Sequence, residues 1–88
     1  MELKLRALPV DMIGWFDLRG ELNPVSFRFQ LGEEAFKGKV LKVQNRFRER
    51  FGGNHLEVFT CLVDLEGRQT LAEFRYEQES HKWMLYKM

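Results

Sequence analysis

Val25-Ser26-Phe27-Arg28-Phe29-Gln30-Leu31 alternates apolar and polar residues without a break. A period of two marks a strand buried on one face, and it assigns Val25, Phe27, Phe29 and Leu31 to the interior and Ser26, Arg28 and Gln30 to solvent. Just upstream, Met12-Ile13-Gly14-Trp15-Phe16-Asp17-Leu18 is rich in aromatic and branched residues and reads as a second strand. Between them Arg19-Gly20-Glu21-Leu22-Asn23-Pro24 carries turn chemistry: Gly20 tolerates positive φ, and Pro24 stands where a strand can begin. Residues 12–31 are therefore expected to form a hairpin. Further upstream, Leu3, Leu5 and Ala7 alternate with Glu2, Lys4 and Arg6, which suggests a short edge strand over residues 2–8, before Pro9.

The same logic extends to the C-terminal third. Asn54 to Leu65 offers two apolar faces, Leu56/Val58/Leu62 and Phe59/Cys61/Val63/Leu65, as a central or strongly curved strand does. Asp64-Leu65-Glu66-Gly67 supplies a turn. From Gln69 to Glu77 the alternation returns, with Thr70, Ala72, Phe74 and Tyr76 on one side. Gln78-Glu79-Ser80-His81 then turns the chain into a last strand, Lys82-Trp83-Met84-Leu85-Tyr86-Lys87-Met88. A terminal segment carrying Trp, Leu and Tyr is expected to be docked in the sheet.

The middle of the chain is less regular. Gly32 to Gly38 suits a turn or a single helical turn, and Lys39 to Gln44 a strand. Asn45-Arg46-Phe47-Arg48-Glu49-Arg50-Phe51-Gly52-Gly53 fits two periods: alternating, it separates the arginines from the phenylalanines; helical, it stacks Phe47 on Phe51 and Arg46 on Arg50. With Asn45 as a cap and Gly52 as a terminator, the reading adopted is a brief helix or irregular turn over 45–51, with Phe47 and Phe51 anchored in the core. The fold class that follows is a single all-β domain over 1–88. It has about six antiparallel strands, mostly a meander, closed into a small barrel or strongly twisted sheet, with at most one short helix near 45–51.

Composition bounds the function. A chain of 88 residues hides only about 60–65% of its unfolded surface, so its core needs large side chains, which 8 Phe, 2 Trp and 2 Tyr supply. No apolar run is long enough for a membrane helix or a secretory signal, and the lone cysteine, Cys61, sits in an apolar run as a core thiol; both point to the cytoplasm. Neither a Cys-x-x-Cys nor a His-Glu-x-x-His spacing occurs, and one cysteine with His55 and His81 in separate turns offers neither a zinc site nor an activated nucleophile. Gly52-Gly53-Asn54 lacks the lysine and helix of a phosphate loop. No catalytic, cofactor-binding or metal-ligating residue is assigned, and no enzymatic activity is expected.

Two binding readings remain. A formal charge of +1 gives no global attraction to nucleic acid, but Lys37 to Arg50 holds six cations against one carboxylate. Lys42, Arg46, Arg48 and Arg50 would be the contacts of a single-stranded nucleic-acid site if the neighbouring phenylalanines were exposed for stacking. The leading expectation is a protein-interaction or scaffold module, whose partner is another protein or a second copy of the chain in a homodimer. A small sheet leaves edges, and Trp15, Phe16 and Trp83 cannot all face inward on alternating strands.

The segments Trp15-Phe16-Asp17-x-x-Gly20-x-x-x-Pro24-x-x-Phe27-Arg28 and Lys82-Trp83-Met84-Leu85-Tyr86-Lys87-Met88 together resemble a family of short, uncharacterised bacterial proteins, over about Met12 to Met88. That family has no established activity, so the resemblance implies no site residue. In physical terms, Gly20 and Pro24 shape the first turn, and Trp15, Phe27, Trp83 and Leu85 are expected in the core.

Overall fold

The alternating segments fold as six strands: β1 (Leu8–Phe16), β2 (Leu22–Leu31), β3 (Glu34–Phe51), β4 (Asn54–Leu65), β5 (Arg68–Glu77) and β6 (Lys82–Lys87). This is a computed structural model, which describes residues 7–88 apart from the side chain of Phe51. Each strand runs antiparallel to the next and β6 returns to β1, so the meander closes into a barrel. Of the edge strand expected over 2–8, only Ala7 and Leu8 are described. Pro9 lies inside β1 opposite Met84, at the short seam formed by Leu8, Pro9 and Val10 with Leu85, Met84 and Trp83.

Closure depends on β3, which is long enough to serve two partners. Its first part, Glu34 to Lys39, pairs with β2; from Gly38 onward it pairs with β4 as far as Phe51. Gly52 and Gly53 both take positive φ, 57° and 87°, as a two-residue hairpin turn with the twist of its strands requires.

No helix forms over 45–51, because two bulges make a strand imitate one. The register steps from Val40↔Val63 to Lys42↔Leu62, and from Val43↔Cys61 to Asn45↔Thr60, which leaves Leu41 and Gln44 as unpaired extra residues. Val40, Val43 and Arg46 therefore stand opposite the inward residues Val63, Cys61 and Phe59, and their three-residue spacing is a helical interval on an extended chain. Simple alternation resumes after Arg46 and puts Phe47 on the outer face opposite Val58, 45% exposed, where a core anchor was expected.

A third bulge corrects the reading of β2. Ile13 pairs with Ser26 but Gly14 pairs with Pro24, so Val25 is the extra residue and lies outside, 42% exposed, while Leu22 and Pro24 face inward with Phe27 and Phe29. Trp15 is likewise not in the core: it is 56% exposed.

The interior is aromatic. Phe27 meets Phe74 edge-on at 4.9 Å between centroids, Phe29 stacks on Phe36 at 5.1 Å, and Trp83 lies 5.4 Å from Phe59 and 5.1 Å from Tyr76. Such pairs add about 0.5–1.5 kcal/mol each beyond the area they bury. Phe59, Cys61, Val63, Phe74 and Leu85 are fully buried among them.

Candidate interaction surface

The β1–β2 hairpin outreaches its neighbours. Among the described residues, β1 past Val10 has no strand partner but β2, and β2 below Ser26 has none but β1. Gly14 to Phe16 and Leu22 to Val25 thus form a two-stranded tongue with Asp11 to Ile13 at its root, and among the described residues no strand pairs with the edge of β1 that faces away from β2 past Val10. On this tongue sit Ile13, Trp15, Phe16, Leu18 and Val25, the first four more than half exposed.

The turn at its tip is built to be rigid. Asp17 Oδ1 accepts from the backbone N–H groups of Arg19 (2.9 Å) and Glu21 (3.0 Å), while Asp17 N donates to Glu21 O and Gly20 N to Asp17 O, both at 2.9 Å. These donors, that of Glu21 foremost, hold the Asp17 carboxyl below its ordinary value. Over 12–18 the sequence reads as a strand that takes in Asp17, but β1 ends at Phe16; an aspartate just before Arg19-Gly20 is the local signal that marks it as a turn residue instead.

Arg46 fastens the tongue to the barrel. Its Nη1 donates to Leu22 O at 2.9 Å, its Nη2 to Asn23 Oδ1 at 3.3 Å, and its guanidinium lies 5.3 Å from the centroid of Phe59. Glu21 stands 3.9 Å away. This cation, expected among nucleic-acid contacts, is a bolt between β3 and the tongue.

Of the other basic candidates, Arg48 and Arg50 do not share a face with the exposed Phe47. Arg48 and Arg50 share the face of Arg46, whereas Lys42 and Phe47 are on the opposite one. Arg48 reaches Glu57 at 3.9 Å. Arg50 Nη2 donates to His55 Nε2 at 3.2 Å, which leaves His55 Nδ1–H to donate to Glu79 at 2.9 Å. Glu79 also accepts from the backbone of His55, and its carboxyl is lowered chiefly by the His55 side chain. These contacts tie the β3–β4 and β5–β6 turns together.

Nucleophilic chemistry has no support at Cys61. Desolvation pushes its thiol from 9.0 up to about 12, against a smaller opposing pull from Arg46. His55 is held by Arg50 and Glu79, and His81 by a 2.7 Å hydrogen bond with the Tyr76 hydroxyl, so neither attends the sulfur. Native protein is expected to resist a colorimetric disulfide reagent at mildly alkaline pH and to react at once in denaturant; rapid labelling of the native form would contradict the burial. Because the unfolded thiol ionises first, its contribution to stability is complete below pH 9.0 and is lost as pH rises toward 12.

An open groove of about 730 Å³ runs from Ile13 past Phe27 to Gly38. Its rim sets Arg28, Lys37 and Lys39 against Asp11, Asp64 and Glu66, so it selects no sign of charge. Among the described residues no three His, Cys, Asp or Glu side chains cluster to hold a metal, and no helix is long and apolar enough to cross a membrane. No family model, curated protein or solved structure matches the chain.

Proposed function

We propose that the protein is a non-catalytic protein-interaction module whose docking surface is the tongue formed by β1 and β2. One observation carries the reading: five large apolar side chains, Ile13, Trp15, Phe16, Leu18 and Val25, are gathered in solvent on a hairpin that its turn and Arg46 hold rigid. In a chain that needs its aromatics for a small core, leaving Trp15 and Phe16 outside costs about 1.5–3 kcal/mol of unrealised burial per side chain. Large apolar side chains exposed together on one hairpin mark an interaction site. A rigid tip also lowers the entropy lost on docking. The free, buried Cys61 suits a reducing cytoplasm.

A photo-crosslinking residue in place of Trp15, introduced in living cells, is expected to give a discrete protein adduct that Ile13→Asp abolishes. The same group in place of Gln30, exposed near the β2–β3 turn, is expected to give none. Equal labelling from both positions would overturn the reading.

The single-stranded nucleic-acid reading has the exposure of Phe47 in its favour. Against it, stacking and phosphate neutralisation must act on one strand of nucleic acid together, and Phe47 faces away from Arg48 and Arg50.

A further inference from the structure

We infer that the occupant of the tongue is a second copy of this chain, paired antiparallel along the open edge of β1 about a two-fold axis at Gly14. The inference rests on the reading of the tongue as a docking surface and names what docks there.

The edge itself supplies the first argument. Among the described residues, β1 from Asp11 to Phe16 is hydrogen-bonded to another strand on one side only, and it touches no strand but β2 and β6. An open edge presents a row of unused N–H and C=O groups that templates a further strand. An antiparallel strand is complementary to itself: a two-fold axis lets one edge supply donors and acceptors to both copies.

Side-chain register supplies the second. Pairing centred on Gly14 puts Ile13 of each copy opposite Trp15 of the other on the outer face, and Met12 opposite Phe16 on the other face. The residue on the axis, Gly14, is exposed.

Area and charge complete the argument. Ile13, Trp15 and Phe16, the exposed side chains that the pairing brings together, present on the order of 400 Å² of apolar surface, about half of the ~800 Å² per partner of a stable interface, with Leu18 and Val25 beside them. The charged groups at the rim satisfy one another within each copy: Arg19 lies 3.7 Å from Glu21, Arg28 bonds Asp11 at 2.8 Å, and Asp17 is taken up by its own turn. Of these groups only the Asp17 carboxylate has no cation paired with it, and its own backbone donors solvate it, so the tip presents little charge that calls for an oppositely charged partner. A net charge of +1 opposes self-association only weakly.

Sedimentation of the full chain is expected to show a monomer–dimer equilibrium at micromolar to high micromolar concentration. Trp15→Glu occurs twice in a symmetric dimer and is expected to weaken it by about 100-fold or more, with an unchanged circular dichroism spectrum because the residue is exposed. Amide exchange at Ile13, Gly14 and Trp15 is expected to slow as concentration rises. In cells, the adduct formed through position 15 is expected at twice the 10.6 kDa chain mass. A chain that stays monomeric at high concentration while position 15 crosslinks a different protein would overturn this inference and leave the docking reading standing. Absence of both dimer and adduct would remove both. A dimer indifferent to Trp15→Glu, with unchanged exchange along β1, would overturn the proposed geometry.

Discussion

Gly38→Ala is expected to destabilise the protein by about 2–3 kcal/mol, although alanine is ordinarily the better residue in a strand. A Cβ at position 38 would stand 2.3 Å from Phe27 Cζ and 2.7 Å from its Cε1, well inside contact distance. The two residues are register partners, and the Phe27 ring lies across the backbone where a side chain would be. The ring cannot swing clear, because it is 4% exposed and wedged against Phe74 at 4.9 Å and Phe29 at 6.2 Å. Replacing glycine by alanine returns only about 0.4–1 kcal/mol through the unfolded chain, so the collision decides the sign. For a domain of this size the loss corresponds to a melting temperature lower by roughly 10–20 °C. Phe27→Leu alone also destabilises, through the cavity it leaves. Combined with Gly38→Ala it is expected to cost less than the two separately, by at least about 1 kcal/mol of coupling. Thermal unfolding of the four proteins closes the cycle. A Gly38→Ala protein at least as stable as the parent would refute the packing described.

The number and direction of the strands were legible because most of them alternate. Ala72, Phe74 and Tyr76 on β5 and Phe59, Cys61 and Val63 on β4 lie inside, as their spacing requires. What was not legible lies at the bulges of β2 and β3. Each extra residue shifts the face of everything beyond it, so Val25 left the core and Val40, Val43 and Arg46 acquired a helical interval. Composition cannot announce a bulge that follows from the need to bend one strand around a barrel. The exposure of Trp15 and Phe16 has two other causes: Trp15 shares the outer face of β1 with Asp11 and Ile13, while Phe16 keeps the inward parity of Val10 and Met12 but lies where β1 outruns β6, and strand lengths do not reveal which end lacks a partner. The chain did show that some aromatic had to remain outside, though not which one.

Arg46→Met is expected to cost about 3 kcal/mol, while Arg48→Met and Arg50→Met stay within about 0.5 kcal/mol of the parent. The three arginines alternate along one face of β3, but only the first is engaged by the body of the fold. Its loss strands the carbonyl of Leu22, a residue 4% exposed, and an unsatisfied buried acceptor costs about 1–3 kcal/mol. The cation over Phe59 adds about 0.5–2 kcal/mol. Arg48, by contrast, is 78% exposed and 3.9 Å from its carboxylate, a pair worth about 1 kcal/mol at most. Arg46→Lys is expected to recover only part of the loss, since one ammonium does not reproduce a planar fork that reaches both Leu22 and Asn23. Denaturant unfolding ranks the four variants, and equal stability of Arg46→Met and Arg48→Met would sink the bolt. The same variant bears on function. The bolt holds Leu22 and Asn23, the β2 residues paired with Phe16 and Trp15, so Arg46→Met is expected to speed amide exchange along the tongue and weaken its docking without touching the apolar surface. A charge reversal at Arg46 would therefore weaken any partner's binding by loosening the fold. The nucleic-acid reading has to be tested at Lys42, Arg48 and Arg50, where reversal leaves the barrel intact. Single-stranded DNA that is retained at low salt and released by those three reversals would displace the protein-docking reading. No retention at low salt is the expected result.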